Sequence, residues 1–452
     1  MIKLMNEELS YDTKLSFFPS KIILLEDGRY LIISTESGNW IVLDNNYELE
    51  IFNKLENKTS IGDIIKFYGE DNEAAFELLQ RVLAKIFARE FAGISSLPKL
   101  IRMEGFRMLN LYITNSCNLR CLHCFMNSGD PLTKELTTDE IKNIFNDFQK
   151  CGGTNVTITG GEPLMRKDFM ELLRFSKNKG LSITVLTNGL LWKDETIEEA
   201  SRLIDEIQIS IDGVDDITNS RIRGKGHFKK ALATAKKFAQ LGVRLSIAST
   251  LDLSILDETI IPEYLEIKRD IESESQGEII FKFSKKILPG RNGKLSIEEN
   301  KRYAEKISQV EELVKPNAKL ENFRLGHEPN VITRNCGIGG LSIRSDGHVF
   351  FCNRVYEVDD YGYIFDKPMS EWLAIGKNLN ESTSVDSVEP CNSCYLKNIC
   401  NGGCRIDDFN LKGRTKNLDS IWYQTSCTDQ KKTELIQKMV KMFDHFYDFS
   451  QQ

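Results

Sequence analysis

The 452-residue chain has no apolar run approaching the roughly 20 residues that a membrane span requires. Its first residues, MIKLMNEELSYDTK, show no cationic start followed by a continuous apolar stretch. The first absence excludes a membrane-spanning helix and the second a secretory signal, so the expected location is the cytoplasm, with no membrane partner. Positive charge is not in excess: 59 Lys and Arg stand against 66 Asp and Glu, a net charge of -7. That balance gives no electrostatic drive toward nucleic acid or an anionic lipid surface. No internal repeat and no low-complexity segment is visible, and 41% hydrophobic with 28% charged residues makes no compositional case for disorder. At this length a single hydrophobic core stops growing, so about two or three domains are expected.

Cysteine, by contrast, is plentiful. There are eleven, an odd number that cannot all pair, and a reducing cytoplasm does not keep structural disulfides. Ten of the eleven fall into short-spaced clusters, which in such a compartment points to metal. The remaining one, Cys151, ends a predicted helix before Gly152-Gly153 and is expected to be a buried small hydrophobe.

Residues 17–43 alternate polar and apolar side chains around turns at Asp27-Gly28 and Ser37-Gly38, the pattern of three short antiparallel strands. Helical periodicity follows in YELEIFNKL, in SIGDIIKFY with Ser60 as N-cap, and in NEAAFELLQRVLAKIFA. Three strands and then three helices make a winged-helix-like domain over residues 1–95. The stretch GISSLPKLIRMEG, with Gly, Ser and Pro and no sustained period, is the expected linker. From Arg107, strands alternate with helices. MLNLYIT, NVTIT, SITVLT, EIQISI, VRLSIAS and EIIFKFS are near-continuous apolar strands, and between most of them lie helical stretches such as TTDEIKNIFNDFQK and FKKALATAKKFAQ. Such strands argue for buried parallel pairing in right-handed βα units. Six units imply an α/β fold with an open, partial (β/α)6 TIM barrel over residues 96–330, its site at the C-terminal ends of the strands. After about Val331 the alternation stops. Cysteine, glycine and turn residues dominate the third domain, 331–452, and the amphipathic stretch KKTELIQKMVKMFDHFYDF closes the chain.

Directly after the first predicted strand stands ITNSCNLRCLHC, a C-x3-C-x2-C triad of Cys117, Cys121 and Cys124. Three thiolates on one loop can bind three corners of a 4Fe-4S cube and leave the fourth iron open to a chelating substrate. Zinc is the competing metal, but it favours four ligands and paired C-x2-C spacing, and His123 sits inside the triad rather than in a useful partner position. TGGEP, Thr159 to Pro163, ends the second strand, LTNG, Leu186 to Gly189, the third, and SIDG, Ser210 to Gly213, the fourth. Polar groups thus gather where a barrel builds its site.

With these motifs in this order over much of residues 107–250, the chain resembles the radical S-adenosylmethionine (SAM) superfamily. The resemblance implies that Cys117, Cys121 and Cys124 ligate a 4Fe-4S cluster, that the methionine moiety of SAM chelates the open iron, and that reductive cleavage yields a 5′-deoxyadenosyl radical. It further implies SAM contacts from Gly160, Gly161 and Glu162, with Glu162 accepting from the methionine ammonium. Asn188, Ser210 and Asp212 are implied contacts as well, Ser210 at the ribose or carboxylate, with Phe125 beside the adenine. Arg221, in NSRIRGKGHF, would pair with the carboxylate as a two-pronged donor, and Arg223, two residues on, is the alternative.

Seven further cysteines lie downstream. Cys336 precedes a glycine-rich run and DGHVFFC, where Gly347 stands five positions before Cys352. CNSCYLKNICNGGC then carries Cys391, Cys394, Cys400 and Cys404 in C-x2-C-x5-C-x3-C spacing, and Cys427 follows. Seven exceed one zinc site and fall one short of two four-cysteine sites. The spacing resembles the SPASM domain, a C-terminal extension of radical enzymes that binds two auxiliary 4Fe-4S clusters, which would make three clusters in the chain. By that resemblance Cys391, Cys394, Cys400 and Cys427 ligate the outer auxiliary cluster, and Cys336, Cys352 and Cys404 the inner one. The inner cluster lacks a fourth cysteine, since GIGGLSIRS offers only hydroxyls and an arginine. An open iron there would bind a substrate thiolate, lower its pKa and accept an electron as a carbon-sulfur bond forms. Alternatively Asp346, His348 or water completes the cluster.

The hairpin-rich N-terminal domain resembles the peptide-recognition element of ribosomal-peptide maturases, which captures a leader peptide as an added strand. A DNA-reading winged helix would want a basic recognition helix, and EDNEAAFELLQRVL is acidic. Together the resemblances imply a peptide maturase of the sactipeptide or ranthipeptide synthase type. It would oxidatively cross-link a precursor peptide through a cysteine thioether, with a flavodoxin or ferredoxin as electron donor and no nucleic-acid partner. A carbon-carbon cross-link is the rival within that class. The anaerobic sulfatase-maturing enzymes are a second resemblance, but that family places an aspartate base after the inner-cluster cysteine, where this chain has Asn353, and it lacks the leader-binding domain. A zinc-binding scaffold is the alternative that is not an enzyme.

Overall fold

The computed structural model describes residues 2–4, 7–94, 96–102, 108–256, 260–285, 287, 291, 295–316, 318–353, 360–409 and 427–447. Near the N-terminus, Ser20–Leu24, Tyr30–Ser34 and Trp40–Leu43 form an antiparallel three-stranded sheet. Glycines in the left-handed region turn its two connections, Gly28 at φ 84° and Gly38 at φ 67°. Three helices follow, Asn46–Glu56, Ile61–Tyr68 and Glu73–Ala88. Asn45, Ser60 and Asn72 start them by accepting from first-turn N–H groups that no intrahelical carbonyl can reach.

The core of this module contains Trp40, Phe52, Leu55, Ile64 and Leu83, and it is shared with the rest of the chain. Leu396 and Ile399 of the cysteine-rich region enter it, as do Met439, Met442 and Phe443 of the last helix, Asp429–Phe446. Trp40 Nε1 donates to Met439 O at 3.1 Å. Burying each of those last three side chains contributes about 1.5–3 kcal/mol, so the module is docked on the C-terminal part of the chain. Two stretches of the expected linker are paired: Ala92–Ile94 pairs with Leu15–Phe17, and Ile101–Arg102 with Val331–Ile332. Of the rest, Ser95 and residues 103–105 lie outside the described residues, as does Arg107.

The main sheet begins with six parallel strands: β1 Met108–Tyr112, β2 Asn155–Thr159, β3 Ser182–Thr187, β4 Glu206–Ser210, β5 Arg244–Ser249 and β6 Ile279–Phe283. Their spatial order equals their sequence order. Leu109 and Leu111 of β1 stand beside Val156 and Ile158 of β2, all fully buried. Helices cover the sheet with matching stripes. Thr138–Lys150, started by a capping box between Thr137 and Glu140, buries Ile141, Ile144, Phe145 and Phe148 at helical spacing. Cys151 corrects the expectation of burial: it is exposed. The helix ends there, the Cys151 N–H donates to Asp147 O at 3.1 Å, and Gly152, at φ 83°, turns the chain away.

The sheet continues past the sixth strand on its opposite edge. Leu341–Ile343, β7, adds in parallel beside β1, with Leu341 opposite Leu109 and Ile343 opposite Leu111. Val349–Phe350, β8, pairs antiparallel with β7. The full order is β6-β5-β4-β3-β2-β1-β7-β8, an open sheet in which the cysteine-rich region extends the partial barrel. Among the described residues no helix is long and apolar enough to cross a membrane.

Candidate functional site

The C-terminal end of β1 leads into the loop that carries the first three cysteines, and that loop is folded back on itself by its main chain. Gly129 N donates to Asn115 O at 3.0 Å, Cys117 N to Gly129 O at 2.8 Å and Cys124 N to Cys121 O at 3.3 Å. Glu135 accepts from Thr114 Oγ1 at 2.9 Å and from Asn115 N at 2.7 Å, which ties the loop's far end to its start. Arg120 Nη1 donates to Cys117 O at 2.8 Å. A Cβ at Gly129 would stand 2.5 Å from the Arg120 guanidinium carbon, so the arginine lies directly over this glycine. From across the site, Arg291 Nη1 donates to Cys121 O at 2.9 Å, and its other terminal nitrogen donates to Ser128 O.

The two glycines of TGGEP allow the end of β2 to lie against this loop. A Cβ at Gly160 would meet Thr114 O at 2.4 Å and one at Gly161 would meet Ser116 O at 2.3 Å. In their place main-chain bonds form, Gly161 N to Thr114 O and Glu162 N to Ser116 O, both 2.8 Å. Glu162 itself is fully buried beneath the cavity wall. Its carboxylate accepts from Thr187 Oγ1 at 2.8 Å and Asn188 N at 2.7 Å, joining the ends of β2 and β3. Burial pushes its pKa up to about 7, against the pull of those donors.

Cys117, Cys121 and Cys124 all line one cavity of about 370 Å³, together with Phe125, Gly160, Gly161, Asn188, Ser210 and Arg223. Asn188 Nδ2 donates to Asn118 Oδ1 at 2.8 Å, joining the third strand's motif to the cysteine loop. Arg223 is the buried cation of the wall, its Nη1 3.8 Å from Cys121 Sγ. Asp212 lies behind it, fully buried. Its Oδ2 is 2.5 Å from Arg223 Nε and 2.7 Å from His123 Nε2, and its Oδ1 accepts from Thr250 N at 2.6 Å. Burial alone would raise the Asp212 pKa, but the Arg223 and His123 charges overcome it and hold the carboxyl at about 2. His227 closes the network: Asn219 Nδ2 donates to its Nδ1 at 3.0 Å, so its Nε2 carries the proton donated to Asn188 O at 2.8 Å. Burial, helped by the Arg223 charge, lowers its pKa to about 4, and the ring is neutral at physiological pH.

The cavity therefore receives Phe125, Gly160, Gly161, Asn188 and Ser210 of the residues expected from sequence, while Glu162 and Asp212 support the wall from behind. Arg221 is not brought to it. The side chain points outward, where its Nη1 donates to Ser254 Oγ at 3.2 Å. On the helix Asp216–Arg223, residues two apart face about 200° apart, so only one of the pair can enter, and Arg223 does. His123, Arg291 and His227 carried no usable sequence signal as members of this network.

The later cysteines also converge. Cys391 lies within electrostatic reach of Cys394, Cys400 and Cys427. Cys336 and Cys404 are hydrogen-bonded to each other, which lowers the Cys336 pKa, and Arg405 N donates to Cys336 Sγ at 3.4 Å. Cys352 follows β8 after one residue, Phe351, whose O accepts from Gly339 N at 2.9 Å in the loop after Cys336. Asp346 is engaged by Arg344 at 2.7 Å and His348 by Asp360 at 2.6 Å.

These donor sets fit iron-sulfur clusters. Burial pushes Cys117 up to about 11 and raises Cys121 as well, so thiolates here call for a neighbouring cation of the kind iron supplies. Among the described residues no three Cys, His, Asp or Glu side chains are grouped to hold a single ion. A cube takes each thiolate on a different iron and needs no such point of convergence.

Residues 111–261 match the family description "Radical SAM superfamily", and this segment is a radical SAM domain, a class that binds SAM and a 4Fe-4S cluster. The chain is 31% identical over 270 residues to the sporulation killing factor maturation protein SkfB of Bacillus subtilis, covering 58% of this chain and 63% of that protein. It is 24% identical over 324 residues to the PqqA peptide cyclase of Bradyrhizobium diazoefficiens, covering 69% and 84%. It is also 26% identical over 350 residues to the AdoMet-dependent heme synthase of Methanosarcina barkeri, covering 71% and 95%. Among solved structures, native anSMEcpe with bound AdoMet superposes with a TM-score of 0.52 at 18% identity, over 74% of this chain and 96% of that one, which shows a shared fold.

Proposed function

We propose that the chain is a radical SAM peptide maturase that oxidatively cross-links a precursor peptide, forming a thioether from a substrate cysteine. The observation that carries this reading is where the N-terminal module docks. Asn398, inside the string Cys394 to Cys400, donates through Nδ2 to Thr35 O at 2.9 Å and Glu36 O at 3.0 Å on the turn of the three-stranded sheet. A Cβ at Gly38 would meet Asn398 O at 2.7 Å, so the approach is close. A sheet able to take an extended peptide thus sits directly on the auxiliary-cysteine loop. Among the described residues Ser20–Leu24 pairs on one side only, with Leu24 66% exposed, while Trp40–Leu43 at the other edge is wholly buried. An unpaired edge offers main-chain hydrogen bonds to an added strand.

A 4Fe-4S cluster at Cys117, Cys121 and Cys124 supplies, when bound, the electron that cleaves SAM to a 5′-deoxyadenosyl radical. Around it, the Gly160 and Gly161 main chain, Asn188 and Ser210 line the space for the methionine and ribose, and Phe125 borders the adenine side. Arg223 takes the carboxylate, held in place by Asp212. Cys391, Cys394, Cys400 and Cys427 would ligate the outer auxiliary cluster and Cys336, Cys352 and Cys404 the inner one. With Asp346 and His348 engaged by Arg344 and Asp360, a substrate thiolate is the ligand that this reading places on the inner open iron.

Arg223→Gln is expected to weaken SAM binding by roughly 10- to 100-fold, the worth of a hydrogen bond between charged groups. Arg221→Gln should stay within about twofold of the parent, as exposed charges do; equilibrium dialysis of the anaerobic enzyme reads both. The function itself is tested with the precursor peptide encoded beside the gene, with and without its leader. A loss of two hydrogens that requires the leader supports a peptide maturase. The heme synthase relative supports a second reading, a tetrapyrrole substrate, and turnover of an iron porphyrin with no change in the peptide would favour it.

A further inference from the structure

Arg405 follows Cys404 directly, opens the short helix Arg405–Asp408 and is fully buried. The described residues surround its guanidinium with main-chain carbonyls. Nε donates to Thr383 O at 2.5 Å, Nη1 to Gly403 O at 2.8 Å and Asn401 O at 3.2 Å, and Nη2 to Arg334 O at 3.4 Å. Phe409 lies with its ring 4.9 Å from the guanidinium carbon. The pocket is shaped for it: at Gly402, whose φ is 75°, a Cβ would stand 2.8 Å from Nη1. Among the described residues these carbonyls satisfy the hydrogen bonds of the buried cation and no carboxylate pairs with it, so its charge is left to be compensated by the groups around it.

The groups that feel this charge are cysteines: Cys336 and Cys404 of the inner set, and Cys391 and Cys400 of the outer set. Arg405 is thus within electrostatic reach of both ligand sets, next in the chain to Cys404 and with its N–H on Cys336 Sγ. A thiolate-ligated cluster is anionic and gains a further negative charge on reduction, so a cation held within reach of two of them stabilises the reduced state of each. Closing a bond between a carbon radical and a thiolate leaves one electron over, and a more positive acceptor takes it more readily.

Building on the cluster assignment under the proposed function, we infer that Arg405 is a positioning residue that acts as the shared counter-charge of both auxiliary clusters. It raises their potentials relative to the radical-generating cluster. A merely structural brace would hold the same four carbonyls without moving a potential.

The test is a redox titration, followed by electron paramagnetic resonance, of the anaerobically reconstituted full chain and of Arg405→Met and Arg405→Lys. In Arg405→Met the ratio of reduced to oxidised auxiliary cluster at a fixed potential should fall about tenfold, 59 mV for a one-electron couple, with the radical-cluster signal unmoved. Arg405→Lys should recover most of that ratio. Unchanged auxiliary potentials in an iron-replete Arg405→Met would overturn the inference. If Arg405→Met takes up no auxiliary iron, Arg405→Lys decides: near-parental potentials support the inference, and a shift of tenfold or loss of iron refutes it. A parent chain without auxiliary iron and sulfide would instead refute the cluster assignment on which the inference rests.

Discussion

Cys117→Ala is expected to abolish formation of 5′-deoxyadenosine from SAM, by more than roughly 1,000-fold, under strong chemical reductant. The thiol is one of three on the wall of the cavity, and its loop is fixed at that position by the Cys117 N to Gly129 O bond. With two thiolates left the cube loses a corner, and no other cysteine is available on that loop. Cys391→Ala should behave differently. Its neighbours are Cys394, Cys400 and Cys427, so SAM cleavage persists at least in part while cross-linked peptide is lost. Chromatography of 5′-deoxyadenosine and mass spectrometry of the peptide read the two outcomes. Undiminished 5′-deoxyadenosine from Cys117→Ala would refute the assignment of the cluster to the triad.

The second large effect belongs to Asp212. Its carboxylate is the buried partner of Arg223 and of His123, and removing one member of a buried ion pair strands the other at a cost of about 3–5 kcal/mol. Asp212→Ala should therefore lose that much stability by denaturant titration and also bind SAM weakly, because Arg223 is no longer aimed. Asp212→Asn keeps the shape and should lose less stability, while still weakening SAM binding. The pH dependence has a definite sign. The Asp212 pKa lies at about 2 against its ordinary 3.8, so its stabilisation is present above the ordinary value and is lost as pH falls through about 2. At neutral pH the difference between parent and variant should be flat.

Much of this architecture was legible in the sequence, because hydrophobic period marks long elements well. The six apolar runs from MLNLYIT to EIIFKFS became β1 to β6, and Ser60 caps its helix. β7 was not legible: three residues between Gly340 and Arg344 are too few to show a period, and their pairing with β1 spans more than 200 residues of chain. The cavity was legible wherever a motif ends a strand. What the motifs could not convey was depth. Glu162 and Asp212 sit within recognisable signatures, yet both lie behind the wall they were expected to line. The choice between Arg221 and Arg223 depended on helix phase, and His123 found its partner 89 residues away. Cys151, read as a core residue from its type alone, is exposed because the helix ends at it.

The most direct measurement for the whole account is the iron, acid-labile sulfide and zinc content of the chain after anaerobic reconstitution. Three 4Fe-4S clusters predict about twelve irons and about twelve sulfides per chain. One or two zinc ions with no sulfide would contradict it.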